Sequence, residues 1–337
     1  MAVSMGDVAR HAGVSQRTVS NVVNGYVHVA EATRARVEAS IVALGYRPNA
    51  AARQLRSGRT GSITLAIPGL AERYFADFAD AVIRKAADAG VRVLIETTAG
   101  DHEAELALIR GGSGILTDGL IMAAVSLAAD DHRNPPASYP IVIVGDRETA
   151  GWVDHVGFPN RAAVRAAVAH LIGLGRQRIA LVGASLDGGG APTTELRLRG
   201  YLDALEDAGI TIDPTLVIPS DWTRVAGEAV ADAMIDGTLP MPDGVFAMND
   251  STGLGLLRGF RRRGIDVPSR VAVIGFDNIA ESRYSTPTLS SVGPSQDQIA
   301  VIALEMIAEQ IADGDGQRTA RQRHTDFDIF VRESTAG

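Results

Sequence analysis

The apolar positions along this chain fall into two regimes that meet near residue 60. Before that point they recur at helical spacing. In MGDVARHAGVSQRTVSNVVNG (5–25), Val8, Val14, Val19 and Val22 supply one buried side for a short helix, a glycine turn and a second helix. Ala9 and Gly13, four apart, read as small residues where the two helices cross. Ser15 reads as the cap of the second helix, accepting a backbone N–H. A third helix is predicted over 31–44 from Val37, Ile41 and Leu44, with Gly45 as its stop. Ala30 stands where a capping side chain is expected. Pro48 then blocks continuation, Asn49 can cap a short helix over 50–56, and 57–61 reads as a flexible joint.

From residue 62 the pattern changes to short β-rich runs alternating with helical segments. The first series is 62–68, 75–89, 91–97, 102–110, 119–123 and 141–145, with 153–158 as a further strand. The second is 160–174, 178–184, 194–208, 216–219, 224–235, 245–248, 251–263 and 271–276, and a last strand is read at 326–331. Such alternation predicts parallel sheets covered by helices on both faces. Two series predict two similar lobes, and ligands of such sheets sit beyond the carboxyl ends of the strands. The predicted domains are a headpiece over 1–48, a hinge and linker over 49–61, and a core over 62–337. Within the core, one subdomain takes about 62–158 plus 292–320, the other about 159–291 plus 321–337.

Charge separates the same regions. Residues 1–60 carry eight arginines against Asp7, Glu31 and Glu38, whereas the 337-residue chain as a whole is −8. A basic head on an acidic body points to a polyanion as the head's partner. The outward residues of the second helix, Gln16, Arg17, Thr18, Ser20 and Asn21, are side chains of the kind that read base edges in the major groove. The plain alternative is a helical hairpin with a solvated face. The preference for arginine (Lys85 is the single lysine) matches a GC-rich coding bias and carries no argument.

Enzymatic signals are absent or weak. Gly253, Gly255 and Gly259 are spaced GxGxxxG inside a helical stretch, which does not fit a dinucleotide loop. There is no GxSxG and no GxxxxGK[ST]. The seven histidines (11, 28, 102, 132, 155, 170, 324) show no metal spacing, and there is no cysteine. No cofactor, no metal and no catalytic residue is expected. With no signal core and no apolar run of membrane-spanning length, the expected location is the cytoplasm, at the nucleoid.

Several motifs then agree. DVARHAGVS, TVSNVVNG, VEASIVALGYRPN and AARQLRSGRT in the first sixty residues, HLIGLGRQRIALVG at 170–183, LRLRGYLDAL at 196–205, FAMND at 246–250, VAVIGFDN at 271–278 and FVREST at 330–335 stand in the order and spacing of the lac-repressor (LacI/GalR) family of bacterial transcription regulators, which the chain resembles from end to end. The resemblance implies an α-helical helix-turn-helix domain plus an α/β periplasmic-binding-protein-like core of two doubly wound parallel-sheet subdomains. It puts Thr18, Val19 and Ser20 in the recognition helix, Gln16 and Arg17 at base-reading positions, and Asn21 where many members have Arg. Ser15, Asn24 and His28 would lie at the DNA surface. Residues 49–56 match the hinge helix, with Asn49, Ala52, Arg53 and Arg56 at the DNA and Leu55 as a minor-groove wedge. A buried leucine is the plain alternative for Leu55.

The lobes resemble sugar-binding proteins of the periplasm, which implies a cleft lined at strand ends. Asp146 with Arg147, Asn249 with Asp250, and Asp277 with Asn278 stand there. Arg197 lies at a helix start and Trp222 after a strand. Tyr74 and Phe75 are further lining candidates with a core alternative, and Asp250 is as plausible a helix cap as a ligand contact. Phe158 and Pro159 replace the Asp-Asn of many members, so no exact ligand transfers. Residues 187–193, rich in glycine, read as a mobile loop at the cleft. The expected function is that of a repressor binding a near-palindromic operator as a homodimer, since no leucine-heptad tail follows, under control of a small sugar-like effector. A corepressor-dependent regulator with a nucleobase or nucleoside effector stays open. A transporter's solute-binding protein and an α/β enzyme are the competing classes.

Overall fold

The computed structural model describes all residues except 1–2, 24, 47–58, 113, 115, 129, 132–135, 137, 147–148, 150, 189–190, 315–318 and 337. The chain divides into two compact units, Met1–Thr60 and Gly61–Gly337.

The first unit holds three helices, α1 (Met5–Ala12), α2 (Gln16–Val23) and α3 (Glu31–Leu44). Ser4 caps α1 in a reciprocal box. Its hydroxyl accepts from Asp7 N at 3.3 Å, and the Asp7 carboxylate accepts from Ser4 N at 2.9 Å. Ser15 caps α2 as the sequence predicts, accepting from Thr18 N at 3.1 Å. No side chain caps α3 at Ala30. Val8, Ala9, Ala12, Val19, Val22, Val37 and Tyr46 form the core. Gly13 works differently from the sequence expectation. It closes α1 at φ +62°, and a Cβ there would meet nothing. Its glycine serves the left-handed cap, and Ala9 and Ala12 supply the small buried surface. The hinge prediction over 49–56, with Asn49, Ala52, Arg53, Leu55 and Arg56, lies outside the described residues, as does Asn24.

The second unit is built on two six-stranded sheets. The strands are β1 (Ser62–Ile67), β2 (Arg92–Thr97), β3 (Leu120–Ala123), β4 (Ile141–Val144), β5 (Asp154–Gly157), β6 (Ile179–Val182), β7 (Val217–Ile218), β8 (Gly244–Ala247), β9 (Ala272–Phe276), β10 (Ser290–Gly293), β11 (Gln322–His324) and β12 (Asp328–Phe330). The first sheet runs β11-β5-β4-β3-β1-β2 and the second β12-β10-β9-β8-β6-β7. Every pairing is parallel except β10 with β12. The helices are α4 (Arg73–Asp88), α5 (His102–Ile109), α6 (Asn160–Gly173), α7 (Pro192–Asp207), α8 (Arg224–Ile235), α9 (Asp250–Arg262) and α10 (Gln296–Asp313). The central strands are buried on both faces and read as unbroken apolar runs, as in IVIV of β4 and IALV of β6.

The chain passes between sheets three times: after β5, after β10 and after β11. This corrects the predicted subdomain division in two places. Residues 322–324 form β11 beside β5 in the first sheet, although 321–337 was assigned wholly to the second subdomain. Residues 292–293 end β10 beside β9 and belong to the second sheet. The periodicity reading also missed α10. Its Ile299, Ala300, Ala303, Met306 and Ile307 recur at helical spacing and pack on the first sheet.

The glycines of α9 serve packing. A Cβ on Gly255 would fall 2.1 Å from Arg224 O, and one on Gly227 would fall 2.3 Å from Thr252 O. Helices α8 and α9 therefore touch backbone to backbone, and the GxGxxxG spacing marks that crossing.

Candidate functional site

The second helix of the head unit presents the first candidate surface. Val19 and Val22 turn inward, so Gln16 and Arg17 are exposed while Thr18, Ser20 and Asn21 are half-buried along the outer edge. Ser15 and Thr18 hydroxyls lie 2.9 Å apart. Gly6 makes room for Gln16: a Cβ there would stand 2.7 Å from Gln16 Nε2. His28 is exposed on the turn after α2, its ring edge-on to Tyr26 at 5.4 Å. Tyr26 and Val27 are 53% and 78% exposed on that turn. Sequence reasoning passed over both, because an exposed aromatic and an exposed valine look like core in a linear pattern.

The second site is a cavity of about 380 Å³. It opens where β3, β4, β5, β7, β8 and β9 end, together with the first turns of α4 and α7. Tyr74, Phe75, Asp146, Phe158, Arg197, Trp222, Asn249 and Asp277 all line it, whereas Asp250 and Asn278, also read from sequence at the strand ends, do not. Arg147 lies outside the described residues. Ala124, Val125, Thr193, Thr194 and Glu72 also line the cavity and were not foreseen, since small and aliphatic residues after a strand carry no chemical signal.

Arg197 is the centre of the polar wall. It sits in the second turn of α7, deeper than a helix start, and is 5% exposed. Its Nε donates to Asn160 Oδ1 at 2.8 Å, Nη1 donates to Met248 O, and Nη2 lies 3.6 Å from Asp277 Oδ1. The guanidinium stacks 3.5 Å above the Phe276 ring and 5.3 Å from Trp222. Trp222 is fixed in turn, its Nε1 donating to Gly183 O at 2.8 Å. Asn249 caps α9 by accepting from Thr252 N at 2.8 Å, and its amide donates to Trp222 O at 3.0 Å. Asp146 accepts from Asn160 Nδ2 at 2.5 Å and Thr193 Oγ1 at 2.6 Å, which ties the first lobe to α6 and α7 of the second.

Asp250 is neither cap nor ligand contact. It is the first residue of α9, fully buried, and its carboxylate accepts from Ile279 N at 2.9 Å and from the Ser282 and Ser291 hydroxyls at 2.6 Å each. These bonds hold the turn at Asp277 and Asn278, whose φ values are +104° and +53°. Two non-glycine residues in the left-handed region are strained, and such strain persists where surrounding bonds over-determine it. Burial pushes the carboxyls up, Asp250 to about 7 and Asp277 to about 8, while Arg197 pulls Asp277 back. Burial also raises Asp146, and it raises the Tyr74 phenol, helped by Asp277 and Asp146. Among the described residues no His/Cys/Asp/Glu cluster could hold a metal ion.

A hydrogen-bonding helix in a three-helix head, and a polar, aromatic cleft between two doubly wound lobes, define a helix-turn-helix regulator with a periplasmic-binding-protein-like ligand module. Comparisons agree. Residues 4–49 match the family described as bacterial regulatory proteins, lacI family, and residues 168–335 match the periplasmic binding protein-like domain. The HTH-type transcriptional regulator GntR of Pseudomonas aeruginosa is 33% identical over 337 residues, 98% of this chain and 95% of that one. A putative lacI-family regulator from Sanguibacter keddieii superposes with a TM-score of 0.76 at 41% identity, covering 83% of this chain and 100% of that one. The lac repressor dimer bound to operator and the anti-inducer ONPF superposes with a TM-score of 0.82 at 25% identity, over 100% of both chains. The chain belongs to the lacI family of bacterial regulatory proteins. It is a DNA-binding transcriptional regulator of repressor type, not an enzyme.

Proposed function

We propose that the chain is a repressor that binds a near-palindromic operator as a homodimer and is controlled by a neutral sugar or sugar derivative in the cleft. The observation that carries this is the composition of the cleft wall. A guanidinium, the carboxyl groups of Glu72, Asp146 and Asp277, and an amide share the cavity with the aromatic rings of Tyr74, Phe75, Phe158 and Trp222. Ring hydroxyls need such donors and acceptors, and the apolar face of a sugar needs an aromatic surface. At the DNA, Gln16 and Arg17 read bases, with Ser15, Thr18, Ser20, Asn21, Asn24 and His28 around them. Asn49, Ala52, Arg53 and Arg56 flank the minor groove and Leu55 wedges a base step. A ligand touching both lobes favours one lobe arrangement over another. A coupling of about 1–3 kcal/mol would change operator affinity roughly 5- to 150-fold. Acting on chromosomal DNA, the protein works in the cytoplasm.

The test is fluorescence anisotropy of the full chain on labelled palindromic DNA with a central CG step. Tight binding is expected, with log K falling steeply against log salt as several phosphates per subunit are contacted. Leu55→Ala should weaken binding to the palindrome and spare random DNA. Salt-independent binding, or no preference for the palindrome, would remove the reading.

A further inference from the structure

Glu105 sits on α5, outside the cavity lining, and is fully buried. Its carboxylate is the anchor of the segment that follows β3. Oε1 accepts from Val125 N at 3.0 Å, and Oε2 accepts from Ser126 N and Leu127 N at 3.1 Å each. Three consecutive N–H groups converge on one side chain where no strand or helix pairs them. A carboxylate is the side chain with enough lone pairs on two oxygens to satisfy all three. The same helix grips the segment further along. His102 Nε2 lies 2.9 Å from Asp131 Oδ2, and that oxygen accepts from Ala128 N at 2.6 Å. The segment so held carries Val125, which with Ala123 and Ala124 lines the cleft with apolar surface. Val125 Cγ2 is also wedged beside Gly100, where an added Cβ would stand 3.3 Å away.

We propose that Glu105 is a positioning residue of the effector cleft: it touches no ligand space but sets the wall at Ala124–Val125, and thereby ligand affinity, through three backbone hydrogen bonds. The proposal rests on the cleft being the ligand site. Glu105→Gln keeps the side chain's size but replaces one acceptor oxygen with an NH₂ facing backbone N–H groups. Amides 125–127 should then exchange with solvent about tenfold faster or more, since opening of such a segment is governed by the bonds that close it. In thermal-shift titrations with glucose, galactose, cellobiose and adenosine, the midpoint rise given by any binder to the native chain should be lost in Glu105→Gln, beyond any fall in the ligand-free midpoint from the lost hydrogen bonds. Asp243→Asn is the control. Asp243 likewise accepts backbone N–H groups, from Gln177 and Arg178, but far from the cleft. It should lower the midpoint and leave the ligand-induced rise intact. Unchanged exchange at 125–127, or faster exchange with an undiminished rise, overturns the proposal. If no compound in the panel moves the native midpoint, the sugar reading fails instead, and the exchange rates alone decide whether Glu105 sets the wall.

Discussion

The head unit and the cleft solve opposite problems with similar side chains. On α2, Gln16 and Arg17 stand exposed, carried by a helix whose only fixed face is Val19 and Val22. In the cleft, Arg197 and Asp277 are at most 9% exposed, and each is bound into its surroundings before any ligand arrives. A surface that meets a polyanion needs charge and reach, because phosphates and base edges arrive from solvent. A cavity that discriminates among small neutral molecules needs donors and acceptors whose geometry is set in advance. The cost of presetting is burial. It appears in the raised carboxyls of Asp250 and Asp277 and in the strained turn at Asp277 and Asn278, and nothing comparable is seen among the described residues of the head.

The largest effect that would sharpen this contrast is a pH dependence confined to the core. Asp250 and Asp277, at about 7 and 8, compare with about 3.9 for Asp in an unfolded chain. Below pH ~4 both states hold the protons. Between pH ~4 and ~8 the fold keeps protons that the unfolded chain has shed, so stability falls as pH rises. The slope is about 1.4 kcal/mol per pH unit for each such carboxyl. His102, raised by its bond to Asp131, acts in the same sense, and His170, lowered by burial, opposes it. Trp152 and Trp222 both lie in the core, so tryptophan fluorescence in urea reports that unit alone. The core is expected to be more stable at pH 5 than at pH 8, with a shallower slope in Asp277→Asn. A midpoint that rises with pH over that range would contradict the account of the turn.

Arg197→Ala breaks the contrast from the other side by removing the central group of the preset wall. It leaves Asp277 without its cation, frees Asn160 Oδ1 and Met248 O, and uncovers Phe276. Above pH ~8, where Asp277 is ionised, removing its partner leaves a buried charge unpaired, at a cost of about 3–5 kcal/mol. The same urea titration should show this loss, and any ligand-induced shift should vanish. Operator binding by the head should persist under conditions where the core stays folded. A variant as stable as the native chain would mean that Arg197 is held by less than its geometry implies.

How far the sequence revealed all this follows the same division. The head was legible because its determinants are local: Ser15 and its N–H partner are three residues apart, and the valines follow one helical period. The cleft was legible where a polar residue directly follows a strand, as at Asp146, Asn249 and Asp277. It was illegible where the determinant is a long-range bond. Glu105 looks like any acid on a short helix until its partners, twenty residues on, are placed beside it. Asp250 follows Asn249 so closely that sequence could not separate the cap from the buried anchor. Three residues separate β11 from β12 in the other sheet, and no periodicity states which sheet a three-residue strand joins. Gly13 failed differently, since small size and left-handed backbone call for the same residue.

The smallest test asks whether the two units are energetically separate. Ser4→Ala removes the hydroxyl that receives Asp7 N and the partner of the Asp7 carboxylate, at a typical cap cost of about 1 kcal/mol. Ser4 is not among the residues proposed to meet DNA, so a change in operator binding would report head stability and not a lost contact. The head's small core makes about 1 kcal/mol a sizeable fraction of its stability. Faster amide exchange at Val8, Val19 and Val22 is expected, by roughly fivefold. The tryptophan-monitored transition of the core should not move. If that transition shifts together with the head amides, the preset cleft and the exposed reading helix share one cooperative unit, and the contrast between them cannot rest on separate folding energetics.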